Sequence, residues 1–408
     1  MSAVAILVIA IVIIAGIGAY IVTRPPAGKQ SGEIWVAIVT DIGGRGDMSF
    51  NDMGFKGCDL ALEQGVVDKV TEVISTTAED YLPNLRALAS SGDYDLIIPI
   101  GYLLQGATYT VAKEYPQQNF ACIDFNSDSG YPDYTPMGTP GALGVLFREE
   151  QSGAIEGVIA ALIAAQYSKP QVGIVLGMAI PPVIAYEIGF RYGLYWGLSW
   201  YENKFENTAP GIGATSTKII YNYTDAFDDP ALGKTTAQAQ LNNNDLAVCW
   251  GVAGQTGLGV FDAVEEYHTD HPNIPTYQPP FIMGVDADQD WMKPGLVISS
   301  AMKRIDQAIL NICQLVRENT FRDMVETTGG NLRLGMIEGA AGASTLAMLD
   351  DLGVSESIKA TVAAMRNAQP AWVWEGASEL ENKILSGEIT ILRVTDTSTA
   401  DTYRTLWA

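Results

Sequence analysis

Catalysis needs a nucleophile beside a base, or a metal with several ligands, and this 408-residue chain offers little of either. Its two histidines, His268 and His271, stand in HTDH beside a proline-rich loop, which reads as a solvated turn. The string LGKTT at 232–236 resembles the end of a phosphate loop, but its first glycine would fall on Asp228, whose carboxylate repels phosphate. No G-x-S-x-G turn is present. Cys58, Cys122, Cys249 and Cys313 form no C-x-x-C pair and sit in apolar strings such as FACIDF, so buried free thiols are expected, with one or two disulfides the alternative. Neither an enzyme nor a bound metal or cofactor is expected. What remains is recognition chemistry: carboxylates that end apolar runs (Asp124, Asp286), the ammonium of Lys303 after another such run, and aromatic residues between them.

Those groups follow a repeated pattern. IWVAIVTD, YDLIIPIG, NFACIDF, QVGIVLG, DLAVCWGV, FIMGVD and GLVISSAM are apolar runs of strand length, separated by helix-length segments. Such runs are the mark of parallel strands covered on both faces, and sheets of that kind bind ligands at the carboxyl ends of their strands. Hydrophobic residues at 48% and charged residues at 17% supply enough apolar material for more than one packed domain. An α/β architecture with two lobes is expected. One lobe would cover 33–148 with a later return near 284–325, the other 151–282 with a return near 326–393, and 394–408 would be an added tail.

Acidic residues outnumber basic ones by 47 to 24, a net charge of −23, which excludes nucleic acid polymers as partners. Ala3–Thr23 carries no charge. At 1.5 Å per residue it reaches about 31 Å, enough for a hydrocarbon core of ~30 Å. A transmembrane anchor over 1–23 and a linker over 24–32 are expected, with a cleaved signal peptide the alternative. A lipid anchor is disfavoured, because the first cysteine is Cys58.

The string TDIGGRGDMSFNDMGFKG at 40–57 resembles the opening of the basic membrane protein family of ABC-transporter solute-binding proteins, which includes purine-nucleoside receptors. YDLIIPIGYLL, FACIDF, GVLFREEQSGAIEG, GVAGQTGLGVFDA, GVDADQ, SSAMKRIDQAI and KILSGEIT follow in the family's order. The resemblance implies a bilobed periplasmic-binding-protein fold of type I, two doubly wound lobes closing on a solute. It also implies lobes on the extracellular side with the helix as tether, and permease subunits as partners. The implied ligand is a purine nucleoside.

The same resemblance implies roles for particular residues. Phe55 would stack on the base, a core position on the helix being the alternative; such stacking is worth about 1–3 kcal/mol. Phe227 would take the opposite face, with Tyr223 close enough to compete. Asp124 would accept from the N1–H of guanine or hypoxanthine and disfavour adenine, whose N1 is itself an acceptor; a turn-capping role is the alternative. Asp286 would accept both ribose hydroxyls, Lys303 would donate to the sugar, and Gly254 would let the backbone approach closely. Asn51 would meet a base edge or cap its helix, and Asp47 would touch ligand or fix its loop. Three positions depart from the family pattern: Gly46 for an acid, Gln255 for a glycine, and Ala179 for an acid. The tail, ending in Leu406-Trp407, raises a second reading, a cell-surface structural protein that assembles through it.

Overall fold

The computed structural model describes residues 29–125, 141–206, 212–214 and 216–407. The expected anchor and the linker up to residue 28 lie outside them. Among the described residues no helix is long and apolar enough to cross a membrane.

The apolar runs form two six-stranded sheets. The first has the order β2-β1-β3-β4-β5-β11, all parallel: β1 (Trp35–Thr40), β2 (Lys69–Ile74), β3 (Leu96–Ile100), β4 (Phe120–Ile123), β5 (Ala142–Phe147) and β11 (Asn331–Leu334). The second has the order β7-β6-β8-β9-β10-β12: β6 (Gln171–Leu176), β7 (Lys218–Tyr223), β8 (Leu246–Val252), β9 (Phe281–Asp286), β10 (Val297–Lys303) and the antiparallel β12 (Ala341–Ala343). In each sheet the inner strands are buried on both faces, so Val, Ile and Ala run without polar alternation. Helices α1 (Phe50–Glu63), α2 (Tyr81–Ser91) and α3 (Gln105–Glu114) cover the first sheet. The second is covered by α4 (Glu149–Tyr167), α5 (Pro181–Phe205), α6 (Pro230–Asn243) and α7 (Gly254–Asp270).

The later segments divide differently from the expectation. Residues 284–303 do not return to the first lobe: β9 and β10 extend the second sheet, with Trp250 of β8 beside Met283 of β9. The chain crosses back only with α8 (Ile305–Arg317), which packs on α1, and with α9 (Phe321–Thr327). Conversely, β11 within 326–393 pairs with β5 of the first sheet. Then β12, α10 (Met348–Asp351), α11 (Glu356–Ala368) and α12 (Ala371–Leu385) follow. A strand buried on both faces has the same composition in either sheet, so apolarity alone does not say which sheet it joins.

Two helices of the second lobe meet at unusually close range. A Cβ on Gly193 of α5 would lie 1.9 Å from the carbonyl oxygen of Ala154, and one on Gly157 of α4 would lie 2.2 Å from that of Phe190. Only hydrogen fits at these crossings. The contact fixes the amino-terminal ends of both helices, and with them Glu149 and Tyr186.

The tail is not free to reach a neighbour. Its helix α13 (Thr397–Leu406) lies on α5, with Val394 and Ala400 buried against Ile184 and Ile188. Arg404 forks onto Glu187 at 3.0 and 2.6 Å, and Trp407 meets Tyr192 edge to face at 5.6 Å. The apolar residues that motivated self-assembly are therefore used within the molecule, and Leu406 alone among them stays largely exposed. All four cysteines are buried free thiols.

Candidate functional site

The carboxyl ends of both sheets open on one cleft between the lobes, enclosing about 580 Å³ with its mouth included. The first lobe contributes Asp47, Asn51 and Asp124, and the second Phe227, Gly254, Asp286 and Lys303. Phe55 is not among the lining residues. It is 1% exposed, one turn deeper along α1 in the first lobe's core, with the Arg45 guanidinium 4.0 Å from its ring. Helix α1 points away from the cleft, so only its first turn reaches the lining, and the aromatic there is Phe50. Tyr223 is absent from the lining too; its hydroxyl donates to Glu187 beneath the tail.

Asp124 and Asp286 occupy corresponding places, just past β4 and at the end of β9, and both have φ of +63°. Aspartate tolerates this left-handed conformation better than bulkier residues do, and it turns the chain sharply at the cleft. Asp47 accepts three backbone N–H bonds, from Ser49, Asn51 and Asp52 at 2.9, 2.8 and 3.1 Å, and so secures the first turn of α1. Its loop-fixing role is thus met by geometry. The side-chain amide of Asn51 donates to Asp41 at 3.3 Å, while its own oxygen is buried without a partner. Phe227 is seated by Gly177, where a Cβ would fall 2.2 Å from the ring.

Charge is concentrated at the base of the cleft. Lys303 Nζ lies 2.7 Å from the Asp124 carboxylate and 3.0 Å from Glu149, and its side chain is 2% exposed. Burial opposes its charge, yet Asp124, Glu149 and Asp286 outweigh burial and raise its pKa. Burial pushes Asp124 up to about 7, against the pull of Lys303. It also raises Asp286, and Asp41 more strongly, and brings Asp47 to about 6. Burial thus favours the protonated form of these acids, and donors that reach them favour the charged form. Asp286 accepts from the Tyr186 hydroxyl at 2.8 Å and from Ser49 of the other lobe at 3.2 Å, which leaves lone pairs on both oxygens. Two amides also bridge the lobes: Gln255 donates to the Gly43 carbonyl at 2.7 Å and Gln289 to that of Met48 at 2.9 Å.

Sequence reasoning did not assign Phe50, Asp41, Tyr102 or Tyr186 to the lining. Phe50 lies inside the SFN string and Asp41 ends the first apolar run, so both carried a signal. Tyr186 sits in a helix buried on every side from Pro181 to Arg191, so no face marked it and it carried none.

Residues 34–365 match the model of a family described as ABC transporter substrate-binding protein PnrA-like. The chain belongs to this family, Bmp. A crystal structure of an ABC-transporter solute-binding protein from Aeropyrum pernix superposes with a TM-score of 0.76 at 32% identity, covering 90% of this chain and 96% of that one. An uncharacterized lipoprotein of Pyrococcus horikoshii is 32% identical over 90% of this chain and 86% of its own length. The ABC transporter nucleoside-binding protein BmpA of Lactococcus lactis is 27% identical over 72% of this chain and 78% of its own. The protein is thus a Bmp-family solute-binding protein with the bilobed α/β fold of that class, and its residues past 365 extend beyond the matched region.

Proposed function

We propose that this Bmp protein captures a purine nucleoside, guanosine or inosine before adenosine, and delivers it to an ABC importer from the outer face of the membrane. The observation that carries this reading is the pair of strand-end carboxylates, Asp124 and Asp286, sharing one cleft with Lys303 and with a phenylalanine from each lobe, Phe50 and Phe227. Buried acids that lack enough donors favour a ligand rich in N–H and O–H groups. Guanosine presents N1–H and an amino group to one side and two ribose hydroxyls to the other. Adenosine would oppose its N1 lone pair to an ionised Asp124, leaving both acceptors unpaired. A nucleoside carries no phosphate, so the excess negative charge does not repel it.

The BmpA relative is named as nucleoside-binding, which supports the ligand class. The Pyrococcus relative is named a lipoprotein, which supports a membrane-attached location. In this chain the attachment would be the apolar run Ala3–Thr23, since no cysteine precedes Cys58. Closure of the lobes, through bridges such as Gln255 to Gly43, would form the surface a permease reads. Calorimetric titration of the protein with guanosine, inosine, adenosine and ribose tests the reading. Heat from guanosine and inosine at low micromolar concentration is expected; silence for every nucleoside at tens of micromolar would sink it.

A further inference from the structure

Residue 393 lies beyond the matched family region, which ends at 365, yet its side chain returns to the junction of the two lobes. The Arg393 guanidinium donates to the Phe147 carbonyl at the end of β5 at 2.7 Å, to Glu150 at 2.9 Å and to Glu149. Phe147 ends β5 of the first sheet, and Glu149 and Glu150 open α4 of the second lobe, so one side chain clasps the first crossing between lobes. The segment that carries it is held on both sides, by Ile391 in the second-lobe core and by Val394 against Ile184 and Ile188.

The clasp continues into the cleft. Glu149, with 1% side-chain exposure, holds Arg393 on one side and Lys303 on the other, and Lys303 in turn holds Asp124. We infer that Arg393 is a positioning residue for the solute site: by neutralising Glu149 it leaves the Lys303 ammonium for Asp124 and the bound nucleoside. The inference rests on the nucleoside reading above.

The groups around this relay make the charge balance explicit. Lys303 is faced by Asp124, Glu149 and Asp286, with Tyr186 bonded to Asp286 and the Asp124 charge raising Asp41. Arg393 faces Glu149 and Glu150, and Glu150 also meets Arg148 at 3.4 Å. Burial would raise Glu149, but Arg393 and Lys303 together hold it below its usual range. Without Arg393, Lys303 would be the only cation within reach of Glu149 in this relay. The ammonium would then shift toward Glu149 and away from Asp124. Asp124 would hold its proton to higher pH, and guanosine would lose its acceptor there.

The test uses the full-length protein and its R393M variant, titrated with guanosine from pH 5 to 9. R393M is expected to raise the midpoint of pH-dependent binding by about one unit, which weakens binding near pH 7 by about fivefold. R393K keeps a cation on Glu149 and is expected to restore most of the midpoint. Should R393M not fold, as judged by circular dichroism, R393M/E150Q removes one charge of each sign at the clasp and is expected to show the same shift. A folded R393M, or a folded R393M/E150Q, with wild-type affinity and midpoint and only a lowered melting temperature would overturn the inference and leave the nucleoside reading standing. Wild-type protein that binds no nucleoside would overturn both.

Discussion

The protonation of Asp124 should set which purine the protein prefers, and the two purines should respond to pH in opposite directions. Asp124 titrates near 7 because it is buried, with Lys303 only partly compensating. Guanosine needs the carboxylate as an acceptor for N1–H. For a group with pKa about 7, the ionised fraction rises from about 1% at pH 5 to about 90% at pH 8, so guanosine affinity should rise about 90-fold, or roughly 2.7 kcal/mol. Adenosine needs the acid's O–H as a donor to its N1, and over the same range its affinity should fall about tenfold. The ratio of the two therefore moves by about a thousandfold. Using the ratio cancels the other acids of the cleft, such as Asp286 and Asp41, which act on ribose and loop alike for both ligands. The assay is paired calorimetric titration at half-unit pH steps, repeated with Asp124→Asn, in which the pH dependence of the ratio should disappear. A ratio constant within twofold between pH 5 and 8 in the wild type would refute the reasoning.

Three further outcomes follow from the geometry. Gln255→Ala removes a bridge to the Gly43 carbonyl; at about 0.5–1.5 kcal/mol for such a bond, it should weaken solute binding about two- to tenfold in calorimetry while leaving the melting temperature of the unliganded protein nearly unchanged. Gly193→Ala forces a methyl to within 1.9 Å of the Ala154 carbonyl, and should destabilise the fold by about 1–3 kcal/mol or more, read by chemical denaturation. Glu156 is fully buried with one oxygen unpartnered, and burial pushes it up to about 8. A carboxyl whose folded pKa is raised contributes stability that is present at low pH and lost as pH climbs through the folded value. The melting temperature should therefore fall as pH rises from about 4.5 to about 8 and level off above that, and Glu156→Gln should flatten that fall; an unchanged slope would show that other groups cause it.

The legible part of this protein was the part written in local pattern. Apolar runs ending in Asp124 and Asp286 told where the strands stop, and parallel-sheet geometry told that ligands gather there. What stayed hidden depends on direction and distance. Phe50 and Phe55 are equally plausible stacking residues until the axis of α1 is known, because a helix turned away from a cleft exposes only its first turn. Strands β9 and β10 look alike for either sheet, since burial on both faces erases the polar alternation that marks an edge. The tail read as free surface because its partners, Ile184, Ile188 and Glu187, lie about two hundred positions earlier in the chain. Arg393 gave no signal for the same reason: its role is made by contacts with residues 147–150.

The central claim is that a purine nucleoside lies between the lobes on Asp124 and Asp286. A crystal structure of the protein grown with guanosine tests it most directly. The account predicts the base between Phe50 and Phe227 with N1 within hydrogen-bond distance of Asp124, and the ribose hydroxyls on Asp286. A cleft that excludes guanosine, or holds a ligand of another class in that place, would contradict it.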